Sequence, residues 1–163
     1  MKMNEILHKE STEQKSNYLS MDFRAISENE SLARVVVTGF VSELDPTLEE
    51  LSDIKTAVSE AVTNAIIHGY AGDFVDPLVH LVCHLQGDVF QVIVLDYGVG
   101  MTDVAKAMQP LYTSKPELER SGMGFSFMEA FMDDLQVEST PGKGTKVTMT
   151  KKIGTSHWID CEE

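Results

Sequence analysis

In VIVLDYGVGM, residues 92–101, an apolar run stops at Asp96 and two glycines follow, Gly98 and Gly100. A short apolar run ended by turn residues reads as a buried strand. Just upstream, PLVHLVCHL alternates, and the two strands expected at about 77–86 and 88–96 are joined by the short glycine-containing turn QGD. Further upstream, Leu19 to Ala25 also alternates and forms a first strand. SENESLARVVVTGFVSEL carries a capping-box pattern from Ser27 to Glu30 and predicts a helix to about Leu44. DPT at 45–47 interrupts the chain, and Asp45 or Thr47 caps a second helix running to His68, with Gly69 as its left-handed C-terminal cap.

Downstream of the glycines, TDVAKAM predicts a short helix and FSFMEAFMDDL an amphipathic one, while QVEST and TKVTMTK pair as strands around the turn PGKG. Residues 109–124 contain two prolines and two glycines with no apolar period, and loops of that length are usually lids or binding loops. Strands joined mainly by hairpins, with helices between them, predict a two-layer α/β sandwich. Its sheet is mixed and largely antiparallel, covered by helices on one face. Residues 1–18 are polar and aperiodic and read as a flexible tail, 19–153 as a single domain, and 154–163 carry no usable pattern.

The chain has 163 residues, enough for one domain with a real core. Its net charge of −13 argues against a surface given over to nucleic-acid phosphates. It suits a basic protein partner, or serves solubility alone. The N-terminus lacks a secretory apolar segment and no run is long enough to span a bilayer, so a cytoplasmic location is expected. Cys83 and Cys161 make no metal spacing. His80 and His84 fall on one strand face roughly 13 Å apart, too far to share an ion.

LSDIKTAVSEAVTNAIIHGY, residues 51–70, places Leu51, Ile54, Val58, Ala61, Val62 and Ala65 in a buried stripe. Glu60, Asn64 and His68 stand four apart on the flank of that stripe. Such a row is either a solvated flank or the edge of a cleft where an amide oxygen holds hydrated Mg²⁺ and a carboxylate accepts a proton.

The Asp96-Tyr97-Gly98 triplet is not the metal-binding triplet of protein kinases, because the chain has no His-Arg-Asp loop and no strand lysine. Nor is it a dinucleotide fingerprint, since Asp103 stands where the third glycine belongs. What fits is a carboxylate at a strand end that accepts the exocyclic amine of adenine, with Gly98 and Gly100 letting the backbone approach the ring. Guanine presents a carbonyl there and would be rejected.

Four motifs now stand in order: Glu60-x-x-x-Asn64 on a helix, Asp96-x-Gly98-x-Gly100 after a strand, SGMGF at 121–125 and GKGT at 142–145. Together they resemble the N, G1, G2 and G3 boxes of the GHKL ATPases, over about residues 20–150. SENESLARV, EAVTNAIIHGY and LYTSKPELERSGMGF narrow the resemblance to the bacterial anti-sigma factor kinases, the sporulation type above all. The resemblance implies a Bergerat-type ATP-binding fold, ATP or ADP as ligand and Mg²⁺ as cofactor. It implies Asn64 as the Mg²⁺ ligand, Glu60 as general base, and Asp96, supported by Thr145, as the adenine reader. His68, Gly98, Gly100 and Met101 belong to the same nucleotide site.

Ser121, Gly122, Met123, Gly124 and Phe125 lie where a glycine-rich turn and a helix start would cradle phosphates. Lys115 and Arg120 are either phosphate clamps or members of the surface ion pairs that PELER suggests. The implied partners are an RNA polymerase sigma factor, which is bound and inhibited, and an anti-anti-sigma protein phosphorylated on serine. A homodimer is implied as well. Arg34 on the first helix is either a partner contact or a solvated arginine. Only 18 residues precede the first strand, so no phosphoacceptor helix pair of the histidine-kinase kind is expected upstream. A nucleotide-sensing binder without phosphotransfer and a stress-response anti-sigma kinase remain as alternative readings.

Overall fold

A computed structural model describes residues 16–110 and 123–154. Most of the expected lid, with Lys115, Arg120, Ser121 and Gly122, lies outside the described residues, as do both ends of the chain. Strands β1 (Ser16–Arg24), β2 (Leu78–Gln86), β3 (Val89–Asp96), β4 (Asp134–Thr140) and β5 (Gly144–Lys152) form one sheet in the order β1-β2-β3-β5-β4. Every neighbouring pair is antiparallel. The expected mixed sheet is thus, among the described residues, wholly antiparallel, and β1 begins three residues before its expected start at Leu19.

Alternation decides which face is covered. Val79, Leu81, Cys83 and Leu85 of β2 and Phe90, Val92 and Val94 of β3 are buried. They pack with Ala33, Val37 and Val41 of α1 (Glu28–Val41), Ile54, Val58 and Val62 of α2 (Leu48–Asn64), and Met128 of α4 (Gly124–Phe131) in a single core. Helix α2 lies between α1 and α4 and touches both. The buried stripe expected on it is present, with Ala57 added and Leu51 only partly buried. His80 and Val82 alternate out of the core, and His80 Nδ1 sits 2.6 Å from Asp22 Oδ1 on the neighbouring strand.

Of three expectations about helix ends, one holds and two need correction. Ser27 has helical dihedrals and its side chain makes no cap bond. Glu30, its expected partner, instead accepts from Ser59 Oγ at 2.5 Å and approaches Arg34 at 3.7 Å. At the start of α2 the choice falls on Thr47: its hydroxyl accepts from Glu50 N at 3.2 Å, and Glu50 Oε2 accepts from Thr47 N at 2.8 Å. Asp45, in the left-handed region at φ 52°, ends the short 3₁₀ turn Ser42–Leu44 that follows α1.

The second correction concerns Gly69. It is not a left-handed cap: α2 gives way after Asn64 to a π turn, Ala65–Gly69, closed by Tyr70 N donating to Ala65 O at 3.1 Å. Glycine is needed there for space, because a Cβ at Gly69 would lie 2.6–2.7 Å from the Asp96 carboxylate.

Candidate functional site

At the end of β3, Asp96 is 97% buried yet carries a carboxylate, because two backbone amides reach it. Gly98 N donates to Oδ1 at 2.9 Å, and the Thr145 amide donates as well. Burial nevertheless dominates and raises the Asp96 pKa above the ordinary carboxylate range, with the two amides opposing it. A carboxylate offers about four acceptor positions, so two amide bonds leave capacity for a ligand's donor. The carboxylate faces a cleft of about 580 Å³, whose floor includes Val94, Asp96, Thr145 and Val147.

The glycines after Asp96 act on neighbouring chain. A Cβ on Gly98 would fall 1.7 Å from the Gly69 carbonyl oxygen, the group that accepts from Val99 N at 2.7 Å. Gly100, at φ +67°, would bring a Cβ within 2.1 Å of the Thr140 carbonyl oxygen. The residues expected to admit an adenine ring therefore hold the Asp96 loop against the π turn on one side and the β4–β5 hairpin on the other. Gly100 also lines the cleft. Ser139 completes the second attachment: its hydroxyl accepts from Met101 N at 2.8 Å, donates to Gly144 O at 3.0 Å and lies 2.9 Å from Thr145 Oγ1.

The opposite wall comes from α2 and the start of α4. Asn64 and His68 line it together with Met123, Gly124 and Phe125. A Cβ added to Gly124 would stand 3.1 Å from Glu60 Oε2 and 3.3–3.4 Å from the Asn64 amide. The carboxylate and the amide thus converge where α4 begins, and a side chain there would crowd both. The four-residue row expected of Glu60, Asn64 and His68 holds over the first two. The π turn then resets the direction of His68.

Asn64, His68, Asp96, Gly100, Met101, Met123, Gly124, Phe125 and Thr145 thus share one cleft, with Gly98 behind Asp96 and Glu60 beside Gly124. Arg34 is not part of it. That residue lies half-exposed on α1, 3.4 Å from Ser31 Oγ, in a stretch where Leu32 and Val35 are exposed. Sequence reasoning missed Ser139, Lys106 and Asp103. Asp103 caps α3 (Val104–Ala107), Lys106 lies within it, and both line the cleft. Periodicity could place that short helix but not the surface it covers.

The histidine kinase-like ATPase domain family matches residues 23–151. The anti-sigma F factor of Clostridium novyi is 57% identical over 137 residues, spanning 84% of this chain and 95% of the relative. The chain belongs to the anti-sigma F factor family. The family's member from Oceanobacillus iheyensis is 54% identical over 143 residues, covering 88% of this chain and 97% of that one.

Among solved structures, the RsbU and RsbW domains of Rv1364c from Mycobacterium tuberculosis match with a TM-score of 0.61 at 22% identity, over 84% of this chain and 32% of that chain. The histidine kinase domain of the Erythrobacter litoralis EL346 blue-light activated kinase matches with a TM-score of 0.51 at 18% identity, over 76% and 61%. Both share the fold. By its family match this anti-sigma F factor family chain carries a histidine kinase-like ATPase domain, and its cleft lies between Asp96 and α2.

Proposed function

We propose that this chain binds ATP with Mg²⁺ in the cleft, transfers the γ-phosphoryl group to a serine of an anti-anti-sigma protein, and in its other state holds and inhibits the sporulation sigma factor sigma-F. The observation that carries the catalytic part is the convergence of Glu60 and Asn64 at Gly124, on the cleft that Asp96 lines. The residues fit the metal. Mg²⁺ takes hard oxygen ligands, keeps several waters and needs one or two protein groups alongside substrate phosphates, and Asn64 Oδ1 is such a group. Bound there, Mg²⁺ supplies neutralisation of charge on the phosphate oxygens.

The chain's own residues do the rest. Asp96 accepts the adenine amine and rejects guanine, whose carbonyl would face a buried carboxylate. Glu60 takes the proton of the partner's serine hydroxyl. The serine oxygen forms its bond to the γ-phosphorus in line as the bond to the bridging oxygen breaks, and ADP leaves with that oxygen. Gly124 lets the reacting groups approach Glu60 and Asn64. Lys115 and Arg120 are assigned to the transferring phosphate as clamps, and Ser121 and Gly122 to its cradle.

The sigma-facing surface is assigned to α1 around Arg34, where a half-exposed arginine flanked by exposed Leu32 and Val35 suits a protein contact. We assign the working form to a cytoplasmic homodimer. Among the described residues no helix is long and apolar enough to cross a membrane.

The test is transfer of labelled γ-phosphate from Mg-ATP to the anti-anti-sigma protein by wild type and Glu60→Gln. Transfer to serine should fall by about 10²–10⁴-fold in the variant while ATP still binds. Wild type that binds nucleotide and partner but transfers nothing would replace the kinase reading with a nucleotide-gated binder.

A further inference from the structure

The described lining of the cleft is poor in positive charge. A nucleoside triphosphate is a polyanion, and the chain carries 26 acidic against 13 basic residues. That field opposes an anion at long range. The cleft itself is lined by two carboxylates, Asp96 and Asp103. Among the described residues that line it, one has a permanently cationic side chain, and that is Lys106.

Its position is held from both sides. Met101 N is bonded to Ser139 Oγ at 2.8 Å, which fixes the chain just before α3. Asp103 Oδ1 then accepts from Lys106 N at 2.9 Å, and Met108 N donates to Val104 O at 3.0 Å. The Asp103 carboxylate is thereby engaged with the backbone at the start of the turn. The Lys106 backbone is pinned to the cleft wall while its side chain is exposed. A lysine ammonium is a compact point charge on a flexible stem, suited to phosphate oxygens whose position shifts between nucleotide states.

We propose that Lys106 is a phosphate-binding residue of this site, supplying from the α3 side part of the positive charge that an acidic protein needs to hold a nucleotide polyphosphate. The proposal rests on the reading of the cleft as an ATP site, but not on phosphotransfer. It separates recognition of the base by Asp96, which is indifferent to phosphate number, from recognition of the polyphosphate, which is not.

The experiment is calorimetric titration of Mg-ATP, Mg-ADP and adenosine into wild type, Lys106→Ala and Lys106→Arg, with apo melting temperatures recorded alongside. The melting temperatures separate a loss of binding from a loss of stability, and the bond to Asp103, made by the Lys106 backbone, survives the substitution. The ATP affinity of Lys106→Ala should drop about tenfold to a hundredfold, the range for losing a charged hydrogen bond. ADP should lose less, adenosine nothing, and Lys106→Arg should recover most of the loss. Unchanged ATP affinity in Lys106→Ala, or equal losses for ATP and adenosine, would overturn the proposal. Wild type that binds none of the three would remove the site and the proposal together. Wild type that binds ATP and transfers nothing would remove only the kinase reading and leave Lys106 standing.

Discussion

At Asp96, burial and hydrogen bonding pull in opposite directions, and burial prevails. Because the folded-state pKa is raised, the native chain holds more protons than the unfolded chain between the ordinary carboxylate value and the raised one. The contribution of Asp96 to stability is therefore greatest below the ordinary value and declines as pH rises through the raised one, the reverse of a salt-bridged aspartate. Above the raised value the ionised carboxylate costs stability that the ligand-free protein does not recover. Asp96→Asn keeps an oxygen for Gly98 N but sets an amide donor toward the cleft. Its ligand-free form should melt higher than wild type, with less pH dependence on the acid side. ATP affinity should fall about tenfold to a hundredfold, because two donors then face each other. Thermal scans from pH 4 to 7 and an ATP titration check both halves. A lower melting point with unaltered affinity would show that Asp96 is structural.

At the level of elements, the two helix starts carry the same pattern, Ser27-x-x-Glu30 and Thr47-x-x-Glu50, and only the second folds as a capping box. Glu50 is 6% exposed and its other oxygen accepts from Gly154 N at 2.9 Å, which ties the end of β5 to the start of α2. Glu30 is drawn off to Ser59 on the neighbouring helix. Thr47→Ala should cost about 1 kcal/mol in urea unfolding. Ser27→Ala should stay within about 0.5 kcal/mol, since no cap bond is lost. Equal costs would mean that the two boxes are equivalent in solution. The π turn after Asn64 belongs to this scale too. It bends the last part of the predicted helix toward Asp96, and Gly69 leaves room for the carboxylate there.

For the molecule as a whole, the sheet centre is reported by Cys83, fully buried on β2 with its thiol pushed up to about 12 by desolvation. Thiolate is the reactive form, so a neutral-pH alkylating reagent must wait for the sandwich to open. In a Cys161→Ser background, labelling of Cys83 should therefore track unfolding. Nucleotide at about 100 times its Kd should slow it about 100-fold, because only the native state binds. Rapid labelling of the native protein, or rates indifferent to ATP, would contradict a cooperative fold linked to the cleft.

What the sequence determined by itself lay in short-range pattern. Alternation in β2 set Cys83 inward and His80 outward, helical spacing set the stripe of α2, and an apolar run ending in Asp96-x-Gly98-x-Gly100 marked the strand end that lines the cleft. Each depends on neighbours within a turn or two, so each can be read along the chain. The tertiary structure alone decided which partner claimed Glu30, why Gly98 and Gly69 must both be small, and that Ser139 would hold Met101, 38 residues away. It alone put Lys106 on the cleft wall. Those outcomes follow from the strand order β3-β5-β4 and from the π turn closing on Asp96, which bring together residues that no periodicity relates.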